Sequence, residues 1–581
     1  KNIDYAILLS SLGTEYTLTK NYEEAEKYYL ESFSIKSQIL KNNDLTKLIS
    51  LNNLSLFYLK SNQIVKHNKY LIEYFNILKQ NILEINSNFG EDDILGFIKK
   101  NVPNNTYLSF LNFHQNNYSN INTSIFNNEL LIKNLTLRNQ QRIKKSIEKS
   151  NNLELKEKYE QFVANKRYLT KLEDQPQDKS PENYETIKAE TDILEKDITR
   201  ISSTFADAKK ILAITWQDIQ QKLKPNEVVI DLVSYNFYNK KWTDSIMYGA
   251  FVIKKDSKFP KFVSLFEEKQ LAVLLERNNK AHDSIQSKII NKQYSDKEIS
   301  DLFYKPLEVD LKNSTTIYLA PSGLAHQINF KALPVNTNQT LGEKYKLILL
   351  GTSATLMDYK PLIINKKDNF EIILYGGIDY NKKQAEVYKE TYPNELNDLA
   401  TRSGISEFNY LPGTNHEVNK INKEAITHNF KTTIITERAA TEESVKQLSG
   451  KVNPFILHIA THGYFFENPK IERNSFISDN KISTYKASDD PMLRSGLLLA
   501  GANNSWGKTN NEINSDDGIL TAKEISNLDL SNCKLVVLSA CETGLGQING
   551  SEGVFGLQRA FKMAGVQNII MSLWKVPDAQ T

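Results

Sequence analysis

The sequence LSACETGLG at Leu538–Gly546, together with HIATHG at His458–Gly463, decides the fold of the C-terminal part of this chain. Each stretch comes directly after a short apolar run, which is Leu535–Val537 for the first and Phe455–Leu457 for the second. Each then breaks into small residues and glycine, which is typical of a buried parallel strand that ends in a functional loop. If the two strands are neighbours, His462 and Cys541 emerge at the same edge of one sheet, where ligands bind in open α/β folds.

The histidine and the cysteine suit one reaction. A thiol attacks a peptide carbonyl as the thiolate, and a nearby imidazole can take its proton and deliver it to the leaving amine. The oxyanion that forms needs backbone N–H donors. We therefore predict a catalytic pair of His462 and Cys541, with the N–H groups of Gly463 and Cys541 as the oxyanion hole.

Each residue alone has a plainer interpretation. A cysteine at a strand end is usually an inert buried thiol, and a histidine before a glycine is usually a loop or core residue. Cys533 is interpreted as a packing residue and His458 as a core histidine. The spacing of His458 and His462 does not indicate zinc, because the HExxH glutamate is missing and the segment is predicted to be strand. The glycines after Cys541 and the sequence at Gly507–Thr509 form no complete nucleotide-binding motif, so we predict no metal ion and no cofactor.

After Pro225, short apolar runs alternate with helical stretches, which predicts an α/β domain with a mostly parallel sheet. The polar residues 467–515 are predicted to form a long mobile insertion near the site. The predicted strands are Val228–Val233, Gly249–Ile253, Thr316–Ala320, Glu371–Tyr375, Thr433–Thr436, Phe455–Ile459, Leu535–Ser539 and Asn568–Leu573.

Before Pro225 the chain is predicted to be helical. Leu12, Gly13, Tyr16, Ala25 and Tyr29 stand at the offsets of a tetratricopeptide repeat, with Ser32 one further match. A second, degenerate copy is predicted to begin at Leu54. The alternative is a generic helical hairpin. Two long helices, residues 129–173 and 184–223, are predicted to follow, with a turn between them.

The composition excludes several classes of protein. With 72 Lys and Arg against 69 Asp and Glu, the net charge of +3 predicts no direct, sequence-specific nucleic-acid binding and no general attraction to membranes. No apolar run approaches the ~18 residues that span a bilayer. Two cysteines form no disulfide framework, and we predict a cytoplasmic protein. Because the first residue is Lys1, a signal peptide on the full gene product stays open.

Taken together, the motifs resemble those of CHAT peptidases, caspase-like proteins that are often joined to tetratricopeptide repeats. The further matching segments are Tyr318–Gly323, Asn329–Pro334, Gly376–Gly377, Leu411–Gly413, Pro491–Gly501 and Asp517–Leu520, followed by Gly553, Phe561, Ala564, Gly565 and Trp574. The resemblance implies a histidine–cysteine dyad at His462 and Cys541, with the oxyanion hole at Gly463 and Cys541.

The resemblance also implies the domain organisation. We expect repeats at residues 1–128, a long helical hairpin at 129–224 and a caspase-like CHAT domain at 225–581, with an N-terminal subdomain at about 225–365 and a catalytic part at about 366–581. Because CHAT proteins normally extend further at both ends, we expect missing segments there. Asp517 and Glu552 are candidate substrate-binding residues, since they flank the cysteine strand and the next helix. A helix cap and a solvated acid at a helix start are the alternative interpretations.

The expected function is that of a regulated bacterial cysteine endopeptidase that cleaves a dedicated protein substrate. The repeats would bind a regulatory protein or ribonucleoprotein. The resemblance suggests a role in antiviral defence or programmed cell death, with a gasdermin-like or CRISPR-associated substrate. The alternative is a protein-binding scaffold with a catalytically silent CHAT fold.

Overall fold

The computed structural model describes residues 2–41, 43–102, 106–114, 117–173, 183–203, 213–279, 297–362, 370–381, 407–450, 454–468, 485–486, 488–506, 517–541 and 543–574. The chain forms two compact units. The first comprises residues 1–136, 199–324 and 330–359, and the second comprises 137–198, 325–329 and 360–581. The predicted domain boundaries after residues 128 and 224 follow sequence patterns rather than contacts, and they stay predictions.

The N-terminal region is helical, as predicted. Side-chain oxygens of Asn2, Asn21 and Asp44 accept backbone N–H groups and so set where the first three helices begin. The helices of this region are Ile3–Leu18, Tyr22–Ile39, Leu45–Lys60, Ile64–Asn88, Glu91–Asn101, Thr106–His114 and Ser119–Ile132.

Small residues let the first two helices approach closely. A Cβ on Gly13 would lie 3.0 Å from atoms of the Tyr29 ring. Ala25 is fully buried, and the Thr14 hydroxyl lies 3.0 Å from the Tyr29 hydroxyl. These contacts are compatible with the predicted repeat, in which small residues stand where paired helices meet.

The first sheet has the strand order β3-β2-β1-β4-β7. It is mixed: β1 pairs antiparallel with β2, and β2 with β3, whereas β1, β4 and β7 run parallel. The expectation of a mostly parallel sheet therefore holds for only part of this unit. The strands are β1 (Glu227–Asn239), β2 (Lys241–Lys254), β3 (Lys261–Glu267), β4 (Thr316–Ala320), the hairpin β5 (Pro334–Asn336) and β6 (Gln339–Thr340), and β7 (Lys346–Leu349); the helices are Trp216–Lys222, Glu268–Asn279, Glu298–Phe303, Glu308–Leu311 and Leu341–Lys344.

A buried lysine joins the last N-terminal helix to this sheet. Lys133 Nζ donates to Asp231 Oδ1 at 2.6 Å and to the carbonyls of Leu232 and Ala320 at 2.8 and 3.2 Å. One turn earlier, the buried Glu129 accepts a hydrogen bond from the Tyr107 hydroxyl at 3.0 Å. Burial raises the pKa of Glu129 to about 7.

The predicted long helix at 129–173 is interrupted twice. Asn134 adopts a positive φ of 53°, and the side chain of Asn152 caps a new helix by accepting the Leu155 N–H at 3.1 Å. The helices here are Leu135–Lys149, Leu153–Glu173 and Tyr184–Ser203. The predicted turn between the hairpin helices lies, apart from residue 183, outside the described residues.

The sheet of the second unit is parallel throughout, with the order β17-β14-β10-β8-β9. The apolar runs predicted as strands after residue 370 all fall in it. Its strands are β8 (Glu371–Ile378), β9 (Lys431–Glu437), β10 (Ile456–Ala460), β14 (Leu535–Ser539) and β17 (Asn568–Met571), and the helices of this part are Pro412–Thr427, Glu442–Lys446, Ala522–Ser526 and Leu557–Met563.

Short antiparallel strands form two further small sheets in the second unit. They are β11 (Gly463–Phe465), β12 (Ser495–Leu498) and β13 (Ile519–Thr521), with a separate pair of β15 (Gln547–Ile548) and β16 (Val554–Phe555). The prediction of a mobile insertion at 467–515 is wrong for Leu493–Asn503, which are buried, because Leu497, Leu498 and Leu499 pack into the core of this unit. Residues 469–484, 487 and 507–515 lie outside the described part.

Candidate active site

The predicted dyad residues follow two neighbouring strands. β10 and β14 pair in parallel, with Ile456 opposite Leu535 and Ala460 opposite Ser539. The Thr461 N–H extends this pairing by donating to Ser539 O at 3.1 Å. His462 and Cys541 therefore emerge at the carboxyl edge of adjacent strands, and the predicted neighbour relation of the two strands is confirmed.

The two loops touch at Gly463. A Cβ on this residue would lie 2.9 Å from the carbonyl oxygen of Cys541 and 3.2 Å from Thr543 Cγ2. The Leu498 N–H donates to His462 O at 3.0 Å, so Gly463 and Leu497 face each other as a non-hydrogen-bonded pair. The Gly463 N–H therefore points away from β12, and its predicted part in an oxyanion hole stays a prediction.

The His462 ring is held by a backbone carbonyl and two aromatic rings. Its Nε2 lies 2.9 Å from Asn409 O. Because a carbonyl only accepts, this contact favours the neutral tautomer with the proton on Nε2, in which Nδ1 is the basic nitrogen. The rings of Tyr380 and Phe408 lie 5.1 and 5.2 Å from it, centroid to centroid.

A serine after β17 anchors the cysteine loop. The Ser572 hydroxyl donates to Ala540 O at 2.7 Å, its N–H donates to Thr543 Oγ1 at 3.2 Å, and its carbonyl accepts from the Gly544 N–H at 2.7 Å. A Cβ on Gly544 would lie 2.9 Å from that carbonyl, so the close approach requires glycine. Neither Ser572 nor Asn409 is among the site residues predicted from the sequence.

A half-buried acid, Glu417, contacts side chains of both strands. Glu417 Oε1 lies 3.1 Å from His458 Nε2, and Glu417 Oε2 accepts the Ser539 hydroxyl at 3.0 Å. His458 is buried. These contacts give His458 a place in the core, which agrees with its interpretation as a core histidine.

The two cysteines differ in their surroundings. Cys533 is buried, and burial raises the pKa of its thiol to about 11. The thiol is therefore protonated at neutral pH and suits a packing residue. Cys541 is only half-buried.

The two candidate substrate-binding residues have structural contacts. Asp517 Oδ1 accepts the Ile519 N–H at 2.8 Å, as in a turn cap. Glu552 lies 3.5 Å from Arg559 Nη1, and both side chains are buried. Their predicted contact with a substrate stays a prediction.

The described residues contain neither a candidate metal cluster nor a helix that could span a membrane. Within them, no group of three or more histidine, cysteine, aspartate or glutamate side chains is placed to hold a metal ion. No helix in this part of the chain has the length and apolarity needed to cross a membrane.

Comparison with known proteins identifies one domain. A search of curated proteins found no match to this chain. The sequence model of the CHAT domain matches residues 294–581, a range that contains both His462 and Cys541. The CHAT family is related to caspase-like cysteine peptidases, and residues 294–581 of this chain are similar to that domain.

Proposed function

We propose that the chain is a regulated cysteine endopeptidase that uses His462 and Cys541. The observation that carries the proposal is the registered pairing of β10 with β14, which brings the histidine loop against the cysteine loop at Gly463. The contact of His462 Nε2 with Asn409 O supports it, because that contact leaves Nδ1 to accept a proton.

The proposed reaction runs in two halves. His462 Nδ1 takes the thiol proton of Cys541, and the thiolate attacks the peptide carbonyl. The N–H groups of Gly463 and Cys541 stabilise the tetrahedral oxyanion. The imidazolium then protonates the leaving amine as the C–N bond breaks. A water molecule, deprotonated by the imidazole, attacks the thioester, and the carboxylic acid and the free thiol are released.

The substrate and partners are proposed from the resemblance. The N-terminal helices act as tetratricopeptide repeats that bind a regulatory protein or ribonucleoprotein, and the close packing of Gly13 on Tyr29 supports this assignment. The substrate is a dedicated protein in the bacterial cytoplasm. A role in antiviral defence or programmed cell death, with a gasdermin-like or CRISPR-associated substrate, follows the same resemblance.

New protein N-termini test the proposal. The full chain, its Cys541→Ala and His462→Ala variants and the matched control Cys533→Ala are incubated with extract of the source bacterium, and the N-termini that form are identified by mass spectrometry. The wild type and the control should generate a common set that both dyad variants lack. If Cys541→Ala generates the same set of N-termini, the proposed dyad is wrong. If none of the four proteins generates new N-termini, the result favours the protein-binding scaffold.

A further inference from the structure

One buried amide side chain joins three segments around His462. Asn503 lies in the short 3₁₀ turn Ala502–Asn504 and is buried. Its Oδ1 accepts the Phe408 N–H at 2.7 Å, and its Nδ2 donates to Phe408 O at 2.9 Å and to Asn381 Oδ1 at 2.8 Å. Its own N–H donates to Tyr380 O at 3.0 Å.

These bonds fix the groups that contact the imidazole. Phe408 supplies one of the rings beside His462, and the next residue, Asn409, supplies the carbonyl that faces Nε2. Residues 407–411 form neither helix nor strand, so no ladder of backbone hydrogen bonds holds that carbonyl in place. The paired bonds of Asn503 to both backbone groups of Phe408 do so instead. The Asn503 N–H also donates to the backbone carbonyl of Tyr380, whose ring is the other one beside His462.

We propose that Asn503 is a positioning residue for the His462–Cys541 pair. Its two hydrogen bonds to the backbone of Phe408 hold Asn409 O against His462 Nε2. This contact keeps Nδ1 as the atom that accepts the thiol proton. This inference rests on the proposed function, since it assigns a role within that site. Asn503 itself touches neither the thiol nor the substrate in this role.

The test is the pH profile of Cys541 alkylation by iodoacetamide in the full chain, followed by peptide mapping. A thiol paired with an imidazole stays reactive below the usual thiol pKa of about 8.5, whereas an unpaired thiol does not. Asn503→Ala should lower the Cys541 rate at pH 6.5 about tenfold and move the midpoint of the profile upward. The control is Asn504→Ala, an exposed neighbour in the same turn, which should change neither quantity.

Other titrating groups are controlled for in the same samples. The titratable and charged side chains on the segments that pack against His462 include Tyr380, Cys541 and Asp379, the last paired with Arg438 at 3.1 Å. Neither Asn503→Ala nor Asn504→Ala alters any of them or adds a titratable group. Cys533 reports general loosening, because its buried thiol should react only if the unit opens.

The outcomes separate this inference from the proposed function. A folded Asn503→Ala protein with the wild-type rate and midpoint overturns the inference, and so does a slower rate with an unchanged midpoint. If that variant does not fold, Asn503→Asp replaces it. The aspartate keeps the acceptor for Phe408 N–H but removes both donors, and an unchanged rate at pH 6.5 again overturns the inference. If His462→Ala already matches the wild type, the dyad itself fails.

Discussion

Replacing Gly463 by alanine should push the histidine loop away from the cysteine loop. The new Cβ would lie 2.9 Å from Cys541 O and 3.2 Å from Thr543 Cγ2. The first contact is with backbone, which has no flexible end that can move aside. Gly463 is not among the described glycines with positive φ, so alanine fits the backbone conformation and the effect is steric. One or both loops must shift by a few tenths of an ångström.

The expected magnitude follows from that shift. A misplacement of about 1 Å in an active site can cost about 10²-fold in rate, so a smaller shift should cost roughly tenfold. Overpacking a filled site should also lower the free energy of unfolding by about 1–3 kcal/mol. The assay is the rate of Cys541 alkylation by iodoacetamide at pH 6.5, with thermal unfolding measured in parallel.

Gly96→Ala is the matched control. Gly96 lies in the helix Glu91–Asn101, and a Cβ there meets nothing within 4 Å. The change should stabilise the protein by about 0.5–1 kcal/mol through helix propensity and leave Cys541 labelling unchanged. A folded Gly463→Ala protein that labels at the wild-type rate refutes the inferred contact between the loops.

Three further predictions concern stability. Burial raises the pKa of Glu129 from 4.5 to about 7, so the folded state keeps a proton that the unfolded chain releases. The free energy of unfolding should therefore fall by about 3 kcal/mol across the window between these two pKa values. Urea unfolding should show about 2 kcal/mol of this fall from pH 5.5 to 7.5, and Glu129→Gln should remove it. Glu552→Gln breaks a buried ion pair with Arg559 and should lower the free energy of unfolding by about 3 kcal/mol. An unchanged free energy of unfolding would contradict this structural role and favour the prediction that Glu552 binds substrate. Lys144→Met removes a 2.9 Å hydrogen bond to Ala564 O and a 2.8 Å ion pair with Asp529. Thermal unfolding should show a loss of about 1–2 kcal/mol in the free energy of unfolding. An unchanged free energy would contradict the stabilising role of this lysine.

The neighbouring strands of the candidate site could be predicted because recognisable residue types mark the end of each strand. A histidine and a cysteine, each after an apolar run and before glycine, specify both the strand and the edge where it ends. The contact between Gly463 and Cys541 was not predicted; it emerged from the structure, in which a Cβ on Gly463 would lie 2.9 Å from Cys541 O.

The groups that contact the two candidate-site loops could not be predicted from the sequence. Asn409 acts through its carbonyl, which every residue has, from 53 positions away in the chain. Ser572 acts through a hydroxyl and two backbone groups on a different strand end. Neither arrangement leaves a pattern in residue types or spacing, because each depends on the tertiary fold.

The mixed first sheet shows how connection length limits such predictions. The runs in β1 and β2 were predicted as strands, but a single residue, Lys240, joins the two strands. A parallel pair needs a crossover of about a dozen residues or more. A one-residue connection therefore forces an antiparallel hairpin. The interruption at Asn134 depended on a local positive φ, which an otherwise continuous helical pattern hides.

The central claim is that His462 activates Cys541. Its most direct test compares the iodoacetamide alkylation rate of Cys541 at pH 6.5 in the folded wild type and in His462→Ala. The wild type should react at least about tenfold faster, because only the paired thiol is ionised to a large extent at that pH. Equal rates in the two proteins would contradict the claim.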